Sequence, residues 1–123
     1  MKYRNLKKVY IWKETFVVIK SKKALPRAFA NIIDKNEVTV IIEQSKYNKE
    51  DIIEIEKDWK ILTFDMVLPF DLVGFLAEIS RAFAEEGIPI FVISAYSRDH
   101  ILIKKKDLSK AIRKLRTIGY TVK

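Results

Sequence analysis

The 123-residue sequence contains no cysteine and a single histidine, His100. Without cysteine the chain can form no disulfide, thiol nucleophile or thiolate metal site. One histidine also leaves the histidine-rich metal sites without their ligands. No apolar run approaches the roughly 18 residues that span a bilayer, and no signal-peptide pattern follows the basic start of the chain. We therefore expect a soluble, cytoplasmic protein without a bound metal.

Motifs for catalysis are lacking as well. The sequence has no nucleophile elbow, no glycine-rich phosphate loop and no cluster with metal-ligand spacing. The adjacent carboxylates Glu85 and Glu86 lie on the polar side of a predicted helix. We expect both to be solvated and to take no part in catalysis. The sequence thus predicts a protein that is not an enzyme and needs no cofactor.

Charge is the first feature that is plentiful. Twenty-four lysines and arginines outnumber sixteen acidic residues, which gives a formal net charge of +8. The basic residues occur at intervals along the chain, at 7–8, 20–23, 104–106 and 110–116. No aromatic residues alternate with a dense basic run, as they do in proteins that bind single strands. This pattern favours a solvated basic surface over a nucleic-acid footprint.

The C-terminal half has a regular order of predicted elements. Apolar residues make up 49% of the chain, enough for one compact domain or two half-size units with a shared core. Helical periodicity and strand-like apolar runs alternate in the order β-α-β-β-α-β, typical of an α+β, ferredoxin-like fold with both helices on one face of the sheet. The predicted elements are strand 59–68, helix 71–87, strands 88–94 and 100–103, helix 107–119 and strand 120–122.

The N-terminal half is less regular. Residues 9–12 and 15–19 predict a pair of strands, and residues 37–43 predict a third. Residues 24–30 are compatible with one or two helical turns, and the polar segment 44–51 is the expected linker. We interpret residues 1–58 as a degenerate unit of the same type as the domain at 59–123.

The three glycines narrow the search for a site. Gly87 and Gly119 fall where helices end in left-handed geometry. Gly74 falls in the predicted first turn of a helix, where glycine costs up to about 1 kcal/mol relative to alanine. Either the helix packs closely on a strand there, or a ligand approaches the free amides of the helix start, which suit a carboxylate or phosphate. Asp71 is then either the N-cap or a partner for a ligand ammonium group.

A second candidate is the connection at 94–100. Small and polar residues interrupt two apolar strands at the sheet end from which the first helix starts, so Ser94 and Tyr96 are expected near the turn at 71–74. Asp99 is either a ligand for a cationic group or an ordinary turn residue. His100 is expected to pack or to form hydrogen bonds in the hairpin rather than to bind a ligand.

Residues 68–76 (LPFDLVGFL) and 83–96 (FAEEGIPIFVISAY) resemble the ACT domains of aspartate kinases. They are closer still to small tandem-ACT proteins related to those kinases and to the CASTOR-type arginine sensors. In the N-terminal half, only the strand at 37–43 resembles the family. The family pattern has a threonine at the position of Ala95, a second threonine at that of Arg98 and a tyrosine at that of His100.

The resemblance implies regulatory binding of an amino acid at an interface between ACT units, within an oligomer such as a homodimer. Transferred by position, the ligand-binding residues are Asp71, Val73, Gly74, Ser94, Ala95, Tyr96 and Asp99. Two alternatives stay open: a structural scaffold that binds no metabolite, and a basic RNA-binding module. The second needs exposed aromatics on central strands, whereas Phe91 lies in a very apolar one. Neither a nucleic acid nor a membrane is an expected partner.

Overall fold

The computed structural model describes residues 7–66 and 73–123, and it divides into two compact units. The helical unit comprises residues 1–12 and 60–123, and the strand unit comprises Lys13–Trp59. No helix among the described residues is long and apolar enough to cross a membrane. The elements are β1 (Lys8–Ile11), β2 (Phe16–Ser21), β3 (Ala30–Ile33), β4 (Val38–Glu43), β5 (Ile52–Phe64), α1 (Phe75–Glu85), β6 (Phe91–Ser94), β7 (Asp99–Lys104), α2 (Leu108–Thr117) and β8 (Thr121–Val122).

The sheet of the helical unit has the strand order β6-β7-β5-β1-β8. Strand β1 pairs antiparallel with the end of β5, with Val9 opposite Phe64, and parallel with β8. The predicted α+β order of elements in the C-terminal half is confirmed. The predicted pairing of β1 with the following strand is wrong. Alternation of apolar residues predicts a strand but not the strand with which it pairs. Here β1 pairs within the helical unit, because Val9 is buried in the core of that unit.

One apolar core is shared by the strands and by the buried sides of α1 and α2. Phe64 lies at its centre, in edge-to-face contact with Phe75 and Tyr120 at centroid distances of 5.4 and 5.5 Å. Such aromatic pairs stabilise a core beyond the area that they bury. The buried members of the core are Val9, Leu62, Phe64, Met66, Phe75, Ile79, Phe83, Ile88, Ile101, Ile103, Ala111, Leu115 and Tyr120.

Helix α1 begins later than predicted. Its first residue is Phe75 and its N-cap is Gly74, so the prediction that Asp71 caps this helix is wrong. Gly74 has φ +89°, a left-handed conformation that glycine adopts without the strain of a side chain. A Cβ added at Gly74 would meet no atom within 4 Å, so close packing on a strand is not the reason for glycine there.

Both helices end as predicted. The amides of Gly87 and Ile88 donate to the carbonyls of Ala84 and Phe83, which is the hydrogen-bond pattern of a Schellman motif. Helix α2 ends in the same way at Gly119. Both glycines have positive φ, the conformation that this motif requires.

The strand unit is an antiparallel sheet with the order β3-β4-β2-β5. Residues 24–29 form turns rather than the predicted helical turns, and they lead into β3, a strand that the sequence analysis missed. The side-chain amide of Asn31 both accepts from and donates to the backbone of Leu25, at 2.8 and 2.9 Å, and so fixes this loop. The predicted linker 44–51 belongs to the unit and ends in a 3-10 turn, Lys49–Asp51. The core of this unit is Val17, Ile19, Leu25, Val40 and Ile42.

Strand β5 contains a bulge. Two residues near Asp58 stand opposite one residue of β2, and Asp58 has φ +67°, which is uncommon for a non-glycine residue. The side chain of Gln44 accepts from the Asp58 amide at 2.9 Å and donates to its carboxylate at 3.1 Å. These two bonds offset the backbone strain at Asp58.

Replacement of Phe64 by alanine tests the central position of this residue in the core. Because its side chain is fully buried, Phe64→Ala should lower the free energy of unfolding by about 3–5 kcal/mol. Leu76→Ala is the matched control, since Leu76 is 38% exposed on α1, and it should cost less than about 1 kcal/mol. Urea denaturation measures both values. Equal losses in the two variants would contradict the assignment of the core.

Candidate functional site

The connection between β6 and β7 is a tight turn. Ser94 stands opposite Asp99 in the ladder, and the Ala95 amide donates to the carbonyl of Arg98 at 3.0 Å. Ser94 and Ala95 are exposed, and Tyr96 at the tip is 81% exposed. Four of the residues predicted as ligand-binding, Ser94, Ala95, Tyr96 and Asp99, are thus brought together in one turn.

An ion pair holds this turn against the end of β5. Arg98 Nε donates to Asp65 Oδ1 at 3.0 Å, and Asp65 directly follows β5. Both side chains are a little over 40% exposed, so the pair contributes little to stability and its effect is to position the turn. Sequence analysis did not single out Asp65. The available signal was a carboxylate immediately after an apolar strand.

Val73 and Gly74 lie in a separate segment at the start of α1. Val73 is 85% exposed and precedes Gly74, whose carbonyl accepts the Glu78 amide at 3.0 Å. The first amides of α1 have no partner within the helix, which gives this end a partial positive charge. Asp71 lies outside the described residues.

Gly74 also lines an open cleft of about 450 Å³ along α1. Beside the cleft, Lys7 Nζ lies 3.3 Å from Glu78 Oε1 and 5.0 Å from the centroid of the Tyr120 ring. A hydrogen bond from Lys114 holds the pKa of the Glu85 carboxyl below its usual value and raises the pKa of Lys114. The cleft is lined by Gly74, Ala77, Glu78, Arg81, Ala82, Glu85 and Ile118.

His100 belongs to a chain of hydrogen bonds across three neighbouring strands or strand ends. The indole Nε1 of Trp12 donates to the buried hydroxyl of Thr63 at 2.7 Å, and that hydroxyl lies 2.8 Å from His100 Nδ1. Since an indole N–H only donates, the hydroxyl accepts from Trp12, and the direction of its bond with Nδ1 follows the tautomer of His100. Burial lowers the pKa of His100; Asp99 opposes this shift and Arg98 adds to it. His100 forms a hydrogen bond, as expected, but with Thr63 of β5 rather than within the hairpin.

The described residues offer no group of three or more histidine, aspartate or glutamate side chains that could hold a metal ion. Exposed backbone amides, the Ser94 hydroxyl and the Asp99 carboxylate suit a small polar ligand.

Removal of the Thr63 hydroxyl tests the hydrogen-bond chain. Thr63→Val keeps the shape of the side chain but takes the hydroxyl contact from both Trp12 and His100, and should lower the free energy of unfolding by about 1–3 kcal/mol. Thr121→Val on the exposed strand β8 is the control and should change it by less than about 0.5 kcal/mol. Chemical denaturation of both variants at neutral pH measures the difference. Equal effects would contradict a structural role for the hydroxyl.

The lowered pKa of His100 predicts a pH dependence of stability. In the folded protein this histidine binds a proton less readily than in the unfolded chain, so its contribution is complete above its ordinary pKa of 6.5. That contribution is lost as the pH falls through the lower pKa of the folded state. Urea denaturation between about pH 7.5 and pH 5.5 should show this decline, and His100→Gln should reduce it. An unchanged decline in the variant would assign it to other groups.

Several solved structures have the same fold. A protein from Agrobacterium tumefaciens is similar with a TM-score of 0.81 and 20% identity, over 95% of this chain and 92% of that chain. The aspartate kinase of Clostridium acetobutylicum is similar with a TM-score of 0.69 and 15% identity, over 90% of this chain and 34% of the enzyme. The regulatory subunit of the Thermus thermophilus aspartate kinase gives a TM-score of 0.64 and 10% identity, over 89% of this chain and 95% of that one. At such identities the likeness establishes the fold.

The family is established by the sequence itself. No curated protein matches the chain. The sequence model of the ACT domain, however, matches residues 54–117, more than half of the chain. That range runs from within β5 to the end of α2, and it includes the turn at 94–99 and the start of α1. The resemblance to the ACT units of aspartate kinases is thereby confirmed, and the chain belongs to the ACT-domain family.

Proposed function

We propose that this protein is a non-catalytic regulatory module that binds an amino acid at the turn 94–99 and the start of α1. The observation that carries the proposal is the ion pair between Arg98 and Asp65. It holds the exposed turn at the end of β5, the strand after which the chain leads into α1. Phe75, the first residue of α1, contacts Phe64 at the same strand end. Both segments lie within the range that matches the ACT domain.

The chemistry of the two segments suits an amino acid. The amides around Gly74 bind the ligand carboxylate, since they lie at the positive end of α1. Asp99, or Asp71 from the preceding segment, pairs with the ligand ammonium group. Ala95 offers no hydroxyl where the family pattern has a threonine, so the Ser94 hydroxyl provides the side-chain hydrogen bond on this strand. Val73 and Tyr96 supply the apolar contacts.

We further propose that residues 1–58 contain a degenerate ACT-like unit, next to an ACT domain at 59–123, and that the strand unit, Lys13–Trp59, forms its body. The strand unit has four strands, β2, β3, β4 and β5 in chain order, and their order in the sheet is β3-β4-β2-β5. The second strand along the chain is thus at one edge, followed by the third, the first and the fourth. The strands β5, β6, β7 and β8 of the helical unit are arranged in the same way, as β6-β7-β5-β8, except that β1 lies between β5 and β8. Where the helical unit has its helices, the strand unit has the loop at 24–29 and the segment at 44–51.

Ligand binding would stabilise the conformational state that has the higher affinity for the ligand. An oligomer or a partner protein that prefers this state would then respond to the ligand. A homodimer is the simplest such arrangement, because members of this family hold ligands between ACT units.

Calorimetric titration with the twenty amino acids tests the proposal directly. One amino acid is expected to bind saturably, and at about 100 times its dissociation constant it should stabilise the fold by roughly 2.7 kcal/mol in a thermal-shift assay. Binding of none of them by the folded protein would refute the proposal and favour the scaffold alternative.

A pair of glycine variants localises the site. Gly74→Asn should abolish binding, because the new side chain enters the space that the ligand carboxylate needs, while asparagine tolerates the left-handed backbone. Gly87→Asn is the matched control: Gly87 also has positive φ, and a Cβ there also meets nothing within 4 Å. Both variants should unfold at similar urea concentrations, and only the first should lose the ligand in calorimetry. Unchanged affinity in Gly74→Asn would place the ligand elsewhere.

A further inference from the structure

The largest surplus of basic charge in this protein lies in one short part of the chain. The strand unit, Lys13–Trp59, contains nine basic and nine acidic residues and contributes no net charge. Residues 104–123 contain eight basic residues and one acidic residue. Residues 1–12 contain four basic residues and no acidic residue, and residues 60–103 contain three basic and six acidic residues. With a net charge of +7, residues 104–123 thus have the largest basic surplus of the chain.

Helix α2 places these cations on its outer side. Ala111 and Leu115 are fully buried and fix the inner side of the helix. Lys110 and Arg113 lie along the opposite side. Lys106, in the 3-10 turn Lys105–Asp107 that leads into α2, precedes Lys110 by four residues and extends this line. Further exposed basic or hydroxyl residues border this line: Lys105, Ser109, Arg116 and Thr117. We call these seven residues the outer face of α2.

Acidic neighbours leave most of these charges unbalanced. Among residues 7–66 and 73–123, the ion pair on this face joins Lys110 to Asp107 at 3.9 Å, and Lys105, Lys106, Arg113 and Arg116 form none. Like charges three or four residues apart destabilise a helix, and cations before its first turn oppose the helix dipole. Repulsion among these cations therefore destabilises α2, and a bound polyanion would reduce that repulsion.

The residue types of this face select among polyanions. It has no apolar or aromatic residue, whereas protein interfaces have an apolar core, interfacial helices insert apolar residues into lipid, and single strands stack on aromatics. Lysine, arginine, serine and threonine are the side chains that contact phosphates of a duplex backbone. An exposed helix also fits the major groove of B-form DNA, about 12 Å wide, but not the narrow major groove of A-form RNA.

We propose that the outer face of α2 docks on duplex DNA through its phosphate backbone, without sequence preference. This surface is separate from the turn at 94–99, so DNA binding and amino-acid binding are independent tests. The sequence alone favoured a solvated basic surface, whereas this proposal gives the outer face of α2 a partner, duplex DNA.

Fluorescence anisotropy with a labelled random duplex of roughly 20 base pairs measures the contacts. If four cations of this face each neutralise one phosphate, the logarithm of the binding constant should fall with the logarithm of salt concentration with a slope of about −3.6 between about 50 and 200 mM. The variant with Lys106→Gln, Arg113→Gln and Arg116→Gln should reduce the magnitude of that slope by about 2.7. Glutamine forms helices well, and circular dichroism confirms that α2 is retained.

The matched control removes the same charge from the strand unit, by Lys22→Gln, Lys35→Gln and Lys49→Gln, all at exposed positions. It should keep the slope of the unaltered protein. Equal weakening in both variants would show that binding follows net charge alone and would overturn the proposal. So would absence of binding at low salt, or tighter binding to phosphatidylserine vesicles, to an acidic polypeptide or to single-stranded RNA at equal anion concentration.

Discussion

The helical unit depends on the last residues of β5. Leu62 and Phe64 point into the core, where Phe64 contacts an aromatic ring from α1 and another from the segment before β8. Thr63, on the opposite side of the strand, joins Trp12 and His100. Asp65 then holds the turn between β6 and β7. Four consecutive residues thus connect the core, a buried polar chain and the candidate site, because side chains of a strand alternate between its two faces.

This arrangement separates stability from recognition. Burial of large apolar side chains accounts for most of the free energy of folding, whereas a half-exposed ion pair such as Arg98–Asp65 contributes little. The turn can therefore carry polar groups, and change its contacts on binding a ligand, with little effect on the core beneath it. Sites in many folds are built in this way, on loops that a rigid scaffold positions.

The two proposals use different properties of the same unit. The proposed amino-acid binding would use backbone amides, Ser94 and the Asp99 carboxylate. DNA binding depends on cations along the outer side of α2, whose inner side packs on the core. In a protein with both properties, the amino acid could change the affinity for DNA. This coupling requires that both ligands bind one conformational state more tightly than the other.

The sequence by itself determined the order of helices and strands in the C-terminal half and the helix ends at Gly87 and Gly119. Those features are local: a periodicity of 3.6 or 2 residues, and a left-handed residue after a helix. The sequence drew attention to Gly74 but did not reveal its left-handed backbone conformation, because that conformation depends on where α1 begins. Helix α1 begins at Phe75, whose side chain is buried in the core.

Only the tertiary structure decided which strands are neighbours and which distant residues meet. Strand β1 lies beside β5 and β8, and Asp65 lies against Arg98, across sequence separations that no local pattern encodes. The strand β3 was missed because its four residues have no alternation and its partner, β4, supplies the pairing. The concentration of charge on α2 became visible only when burial of Ala111 and Leu115 fixed the side of the helix that faces solvent. Long-range contacts depend on how all segments of the core pack together, so the sequence of one segment does not predict them.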